Sequence, residues 1–258
     1  MPTRETAPTG APCWVDLMTS NVDGARAFYG QLFGWEADES NEEFGGYFNF
    51  TKDGVLVAGG MPTMPDAGVT DVWSVYLAVD DARETVEAVQ ANGGQVISDA
   101  MDVMDLGTMA VVTDPGGAVI GMWQPGLHKG FGILGEPGAP SWWELLTRHY
   151  DGAVSFYEIV FGWKTHTMGD ASDFRYTMAQ DGDQPLAGVM DASSFLPEGV
   201  PDHWSVYFGV GDADATIAEA VALGGSVRMP AEDTPYGRMA TLADPFGAQF
   251  KIVTQPAG

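Results

Sequence analysis

Few residues of this chain could do chemistry, and most of those are carboxylates. Asp and Glu number 36 against 11 Lys and Arg, four His and one Cys, Cys13. Two carboxylates stand out by their setting: Asp16 in Trp14-Val15-Asp16-Leu17, and Glu144 in Trp142-Trp143-Glu144-Leu145. On a strand, residues two apart share a face, so each carboxylate lies beside an indole. That combination suits a flat organic molecule, with the ring as a wall and the carboxylate meeting water or a ligand's charge. Strand parity adds Ser74, Tyr76 and Trp123 to the first of these surfaces. It adds His203, Ser205, Tyr207, Lys251 and Val253 to the second. Glu144, His203 and Tyr207 form the set suited to acid–base work on a carbonyl compound. Trp73, Trp143 and Trp204 take the opposite parity and read as core. No P-loop, GxSxG, paired CxxC or HExxH is present.

The elements that must carry these residues are written twice. Ala25-Arg26-Ala27-Phe28-Tyr29 … Leu32-Phe33-Gly34-Trp35 returns as Ala153-Val154-Ser155-Phe156-Tyr157 … Val160-Phe161-Gly162-Trp163. Trp73-Ser74-Val75-Tyr76 returns as Trp204-Ser205-Val206-Tyr207, and Asp114-Pro115-Gly116-Gly117 as Asp244-Pro245-Phe246-Gly247. Repetition in a fixed order marks an internal duplication. Within the first copy, a strand over 13–18 precedes a helix capped near Asn21–Asp23 and stopped by Gly34. Strands over 35–38, 46–51 and 55–61 follow. A second run of the same order begins at Val72, with Asp80-Asp81 capping a helix to Ala91 and strands at 95–98, 108–113 and 118–124. Each copy is thus two βαβββ modules, an α+β arrangement. The expected organisation is a first domain over 1–125, a Gly/Pro linker over 126–140 pinned by Phe131, Ile133 and Leu134, and a second domain over 141–258. Residues 1–11 read as a disordered tail.

Four βαβββ modules, FY…LFGW after the first helix and a DPxG turn before the last strand resemble the vicinal oxygen chelate superfamily. That group includes glyoxalase I, bleomycin-resistance proteins and extradiol dioxygenases. The resemblance covers residues 12–255. The two-domain layout and the W-x-[DE]-L opening are similar to actinobacterial glyoxalase-like or hydroxylase-like proteins, some from anthracycline-type antibiotic clusters. The resemblance implies that paired modules form a U-shaped sheet around a cup, with helices on the outer face. It also implies where metal-dependent members hold their ion. Those positions are Trp14, Ser74 and Gly121 with Ala58 or Gly59 in the first copy, and Trp142, Ser205 and Lys251 with Ala187 or Gly188 in the second. Trp, Gly and Lys are not ligands for a divalent cation. The expectation is therefore a protein without metal or cofactor that binds a planar aromatic natural product, cationic ones included. Self-resistance or assistance to a biosynthetic tailoring enzyme would be its role, as a monomer or homodimer. The alternatives are a cofactor-free acid–base enzyme using Glu144, His203 and Tyr207 on a carbonyl or aromatic polyketide, and a glyoxalase-type enzyme with displaced ligands. Met18, Met61, Met101, Met104, Met109 and Met122 in the first copy and Met178 and Met190 in the second are soft side chains that adapt to bulky guests, although ordinary core filling accounts for most of them.

Bulk charge narrows the partners. A formal charge of −25 repels phosphate backbones and anionic lipid, which argues against nucleic-acid and membrane-surface roles. No window of 18 apolar residues occurs, the N-terminus lacks a signal-peptide h-region, and the lone Cys13 has no internal disulfide partner. A cytoplasmic location is the expectation.

Overall fold

The computed structural model describes residues 6–63, 71–171 and 174–254. The first copy contains β1 (Pro12–Thr19), α1 (Val22–Phe33), β2 (Glu36–Ala37), β3 (Phe48–Lys52) and β4 (Val55–Pro62), then β5 (Val72–Ala78), α2 (Ala82–Ala91), β6 (Gln95–Val103), β7 (Gly107–Thr113) and β8 (Val119–Pro125). The second repeats the order with β9 (Pro140–Thr147), α3 (Tyr150–Phe161), β10 (Lys164–Ala171), β11 (Phe174–Asp181) and β12 (Gln184–Asp191), then β13 (His203–Val210), α4 (Ala213–Ala222), β14 (Ser226–Thr234), β15 (Gly237–Ala243) and β16 (Gln249–Thr254). Each copy forms one open eight-stranded sheet, ordered β2-β3-β4-β1-β5-β8-β7-β6 and β10-β11-β12-β9-β13-β16-β15-β14. The opening strands of paired modules, β1 with β5 and β9 with β13, run antiparallel at the centre. This is the duplicated α+β architecture read from the sequence.

Local chemistry explains the helix limits. The Asn21 side chain accepts from the Gly24 amide at the start of α1, and Gly34 ends it at φ 70°. Asp81 and Asp212 cap α2 and α4 in the same manner. The register places Asp16 opposite both Ser74 and Gly59, and Tyr76 beside Gly121. In the second copy Glu144 faces Ser205 and Gly188, and Tyr207 faces Lys251.

The helices cover the face of each sheet away from its cup, as the resemblance implied, and the helix-bearing faces of the two sheets meet, α1 against α4 and α2 against α3. Phe33 of α1 lies 5.2 Å from Phe208, and Phe28 lies 6.3 Å from Phe250, ring to ring. These faces carry too many large aromatics to be exposed, so one continuous core joins both sheets. Paired clasps span the junction. Tyr29 donates to Asp244 and Tyr157 to Asp114, the aspartates of the two DPxG turns.

Two connecting segments are more ordered than their composition suggests. Of the expected tail, residues 1–5 lie outside the described residues, but 6–11 are held. Gly10 donates to the Ala78 carbonyl and accepts from the Trp163 indole of the second copy. In 126–140, Phe131 and Ile133 are buried, as expected for a pinned segment. Gly130, at φ 95°, passes so close to the Cys13 carbonyl that a Cβ would overlap it.

Candidate functional site

Parity places the Trp–carboxylate pairs on the sheet faces away from the interface, yet the two cups differ. The first is filled by its own side chains. Trp14, Asp16, Tyr76 and Trp123 are all buried, at 8 % exposure or less. The Trp14 indole donates to Asp16 Oδ1 at 2.9 Å and to the Tyr47 hydroxyl at 2.8 Å, and Tyr47 donates to the same Oδ1 at 2.6 Å. His128, from the segment after β8, packs its edge on Trp14 at 4.5 Å, and its carbonyl accepts from the Trp123 indole. Glycines leave room for these rings. A Cβ on Gly59 would overlap Tyr47 and Asp16, and one on Gly121 would overlap the Tyr76 ring. The first-cup residues proposed for ligand contact are thus brought together, but they contact one another. Ser74 sits opposite Asp16, outside this aromatic cluster.

Among the described residues Asp16 has no cationic partner. Burial drives its carboxyl up to about 6, against the hydrogen bonds from Tyr47, Tyr76 and Trp14 that favour the charged form. Burial also drives His128 down to about 4. The consequences for stability have opposite signs. Folded Asp16 binds its proton more tightly than the unfolded chain, so its contribution declines as pH rises from about 4 to about 6. Folded His128 resists protonation, so its contribution is lost as pH falls from about 6.5 through about 4. The two slopes nearly cancel in the wild type. Asp16→Asn, whose amide oxygen still accepts from Trp14 and Tyr47, is expected to stabilise the protein by about 1–2 kcal/mol at pH 8. It should also unmask a loss below pH ~6.5 from His128. His128→Gln should unmask the converse slope. Urea unfolding at several pH values measures both, and unchanged slopes in both variants would contradict the assignment.

The second cup is open. A cavity of about 840 Å³ takes its walls from all eight strands of that sheet. Trp142, Tyr176, Met178, Met190, Tyr207 and Val253 line its interior, and Met168, Phe174, Phe195, Met229 and Tyr236 its mouth. All five mouth residues are exposed. A volume in the usual range for small-molecule sites, walled by aromatics and thioethers, fits a bulky apolar guest. Met178 and Met190 are among the methionines that line the cavity. Trp142 is only half-buried, unlike Trp14, and its indole donates to the Tyr176 hydroxyl at 3.0 Å.

One polar cluster sits in this wall. Lys251 Nζ donates to Glu144 Oε2 at 2.7 Å and to the Tyr207 hydroxyl at 2.9 Å, and Tyr207 donates to Glu144 Oε2 at 2.8 Å. Both charged side chains are largely buried, and burial together with the Glu144 charge raises the Tyr207 phenol well above its ordinary value. Glu144 therefore has a cation within the protein, where the expectation was that it would meet water or a ligand's charge. Lys251 is one difference between the cups. At its equivalent, Gly121, the sheet offers no side chain, and Tyr76 covers the space. The proposed trio of Glu144, His203 and Tyr207 is not assembled. His203 lies two residues nearer the strand's start, with its Nδ1 at 2.9 Å from the Pro201 carbonyl, and neither it nor Ser205 lines the cavity. Sequence reasoning missed Tyr47, Tyr176 and His128. The repetition of Tyr47 as Tyr176, each near a Gly beside the carboxylate, was the available signal.

The donor set does not fit the divalent ion that metal-dependent members of the fold carry. The second cup has one carboxylate already bound to an ammonium and a second, Glu232, exposed at the cavity, and the first has one carboxylate among indole and phenol donors. Among the described residues no group of three or more His, Cys, Asp and Glu could hold a metal ion. A smaller surface cleft beside α3 is lined by Arg175, whose guanidinium is engaged by Asp151, Asp170 and Asp191. No helix among the described residues is long and apolar enough to cross a membrane.

Known proteins agree with this architecture. The solved Mn(II)-bound glyoxalase from Novosphingobium aromaticivorans superposes with a TM-score of 0.65 at 15 % identity, covering 95 % of this chain and 82 % of that one. The 2,3-dioxygenase LapB from Pseudomonas sp. KL28 gives 0.65 at 15 % identity, over 97 % and 96 %. At such identities the likeness is one of fold. "Putative glyoxylase CFP32" of Mycobacterium tuberculosis is 42 % identical over 98 % of both chains. "Anthracycline biosynthesis protein DnrV" of Streptomyces peucetius is 39 % identical over 95 % of this chain and 93 % of its own. Residues 13–122 and 140–252 both match the same family, so the chain belongs to the Glyoxalase/Bleomycin resistance protein/Dioxygenase superfamily.

Proposed function

We propose that the protein binds one fused-ring aromatic compound in the second cup, without a metal ion, and that the first cup is a structural counterpart closed by its own side chains. The observation that carries this reading is the contrast between the open cavity of about 840 Å³ and the first cup, where His128 packs on Trp14 and Trp123. The relative named for anthracycline biosynthesis supports a fused-ring polyketide as guest and a role beside a biosynthetic enzyme. Pairing of Glu144 with Lys251 removes the short-range reason for a cationic guest. A ligand ammonium would meet only Glu232, an exposed residue at the cavity. Acid–base catalysis remains the second reading, and it now rests on Glu144, Tyr207 and Lys251.

Calorimetric titration with doxorubicin-type and uncharged tricyclic aromatics tests the reading. Trp142→Ala and Phe174→Ala should each weaken binding about tenfold, the scale of one lost aromatic contact. Trp14→Ala should leave affinity within about threefold while lowering stability by about 3 kcal/mol. Chelator treatment should change neither value. Loss of binding in Trp14→Ala, with Trp142→Ala unaffected, would place the guest in the other cup.

A further inference from the structure

Lys251 is the single cation among the described residues lining the second cup. Its ammonium carries three N–H donors and no acceptor. Two are engaged, by Glu144 and by Tyr207, and among the described residues no third acceptor is present. The side chain retains 14 % exposure and borders the cavity, so this third donor is reachable from within an otherwise apolar chamber. Glu144 and Tyr207 hold the ammonium in place, and Lys251 also lies over the Tyr207 ring at 4.7 Å. The Tyr207 hydrogen is itself directed to Glu144. The cluster thus offers the guest a fixed, charged hydrogen-bond donor. Because the Glu–Lys pair has no net charge, an anionic guest gains little there, whereas a neutral acceptor gains a charge-assisted hydrogen bond.

Resting on the reading of the second cup as the ligand site, we propose that Lys251 forms a carbonyl subsite, which selects aromatic ketones and quinones over fused-ring compounds without a ring carbonyl. Rejection comes from desolvation. A guest lacking the oxygen strips water from the lysine and returns nothing, the asymmetry that makes hydrogen-bonding pockets selective. Tyr207 and Glu144 act here as positioning residues.

The test uses 9-fluorenone and fluorene, two rigid tricyclic probes that differ in the carbonyl. Wild-type protein should bind fluorenone at least tenfold more tightly, and the bound C=O stretch should move to lower frequency than in an apolar solvent. Lys251→Met should erase the preference and the infrared shift while still binding fluorene, and Lys251→Arg should restore part of both. Because Lys251→Met leaves Glu144 unpaired, Glu144→Gln/Lys251→Met keeps the wall neutral and should behave alike if it folds better. Equal affinity of the wild type for both probes, with no infrared shift, overturns the carbonyl subsite and leaves the cup's role intact. Failure of both probes and of larger fused-ring compounds to bind overturns the reading of the cup and this inference with it.

Discussion

Gly121→Ala is expected to destabilise the protein by about 3 kcal/mol, the upper range for overpacking a well-filled interior. The added methyl would overlap the ring of Tyr76, which is buried at 8 % exposure and cannot swing aside without displacing its neighbours. Gly59→Ala should behave in the same way, since its methyl would meet the Tyr47 hydroxyl and the Asp16 carboxylate. Neither substitution should alter guest affinity in the second cup. Denaturant unfolding gives the first value and calorimetry the second. A cost below about 1 kcal/mol for both variants would mean that the first cup has slack, and that its filled state is not what the sheet is built around.

The second large effect concerns the buried pair of Glu144 and Lys251. Removing either partner leaves an uncompensated charge in an apolar wall, so Glu144→Leu and Lys251→Met should each cost about 3 kcal/mol or more. The double variant should recover much of that loss, because two apolar side chains of similar size need no partner. A coupling of about 3 kcal/mol or more from the double-mutant cycle, so that the double variant costs no more than either single, is the expected result. Additive losses would show that the two groups are solvated independently, and the carbonyl subsite would lose its fixed donor.

Much of the architecture was legible because its signals are local. Asn21, Asp81, Gly34 and Gly162 mark helix ends within a few residues, and the alternation in Trp14–Leu17 and Trp142–Leu145 gives the facing of the central strands. The site was legible only in part. Trp142, Glu144, Tyr207 and Lys251 were placed on one wall by parity, but parity cannot say that Lys251 reaches Glu144 across 107 residues of sequence. Nor could it show that the first cup is full. That outcome depends on Tyr47 and His128, which flank the strands, and on the space that Gly59 and Gly121 leave open. The strand β6 also outruns its expected end at Ser98, reaching Val103, since pairing with β7 sustains it through shifts in register. The buried helix faces went unrecognised for a related reason. Phe28, Phe33, Phe208 and Phe250 look like the core of one copy until the second copy is laid against them.

The division of labour between the cups is tested most directly by the stoichiometry of guest binding. Calorimetric titration of the wild-type chain with a fused-ring aromatic ketone should give one guest per chain, and Trp142→Ala should weaken that single event. Two equivalent guests per chain, or one guest whose binding is lost in Trp14→Ala and kept in Trp142→Ala, would contradict the account.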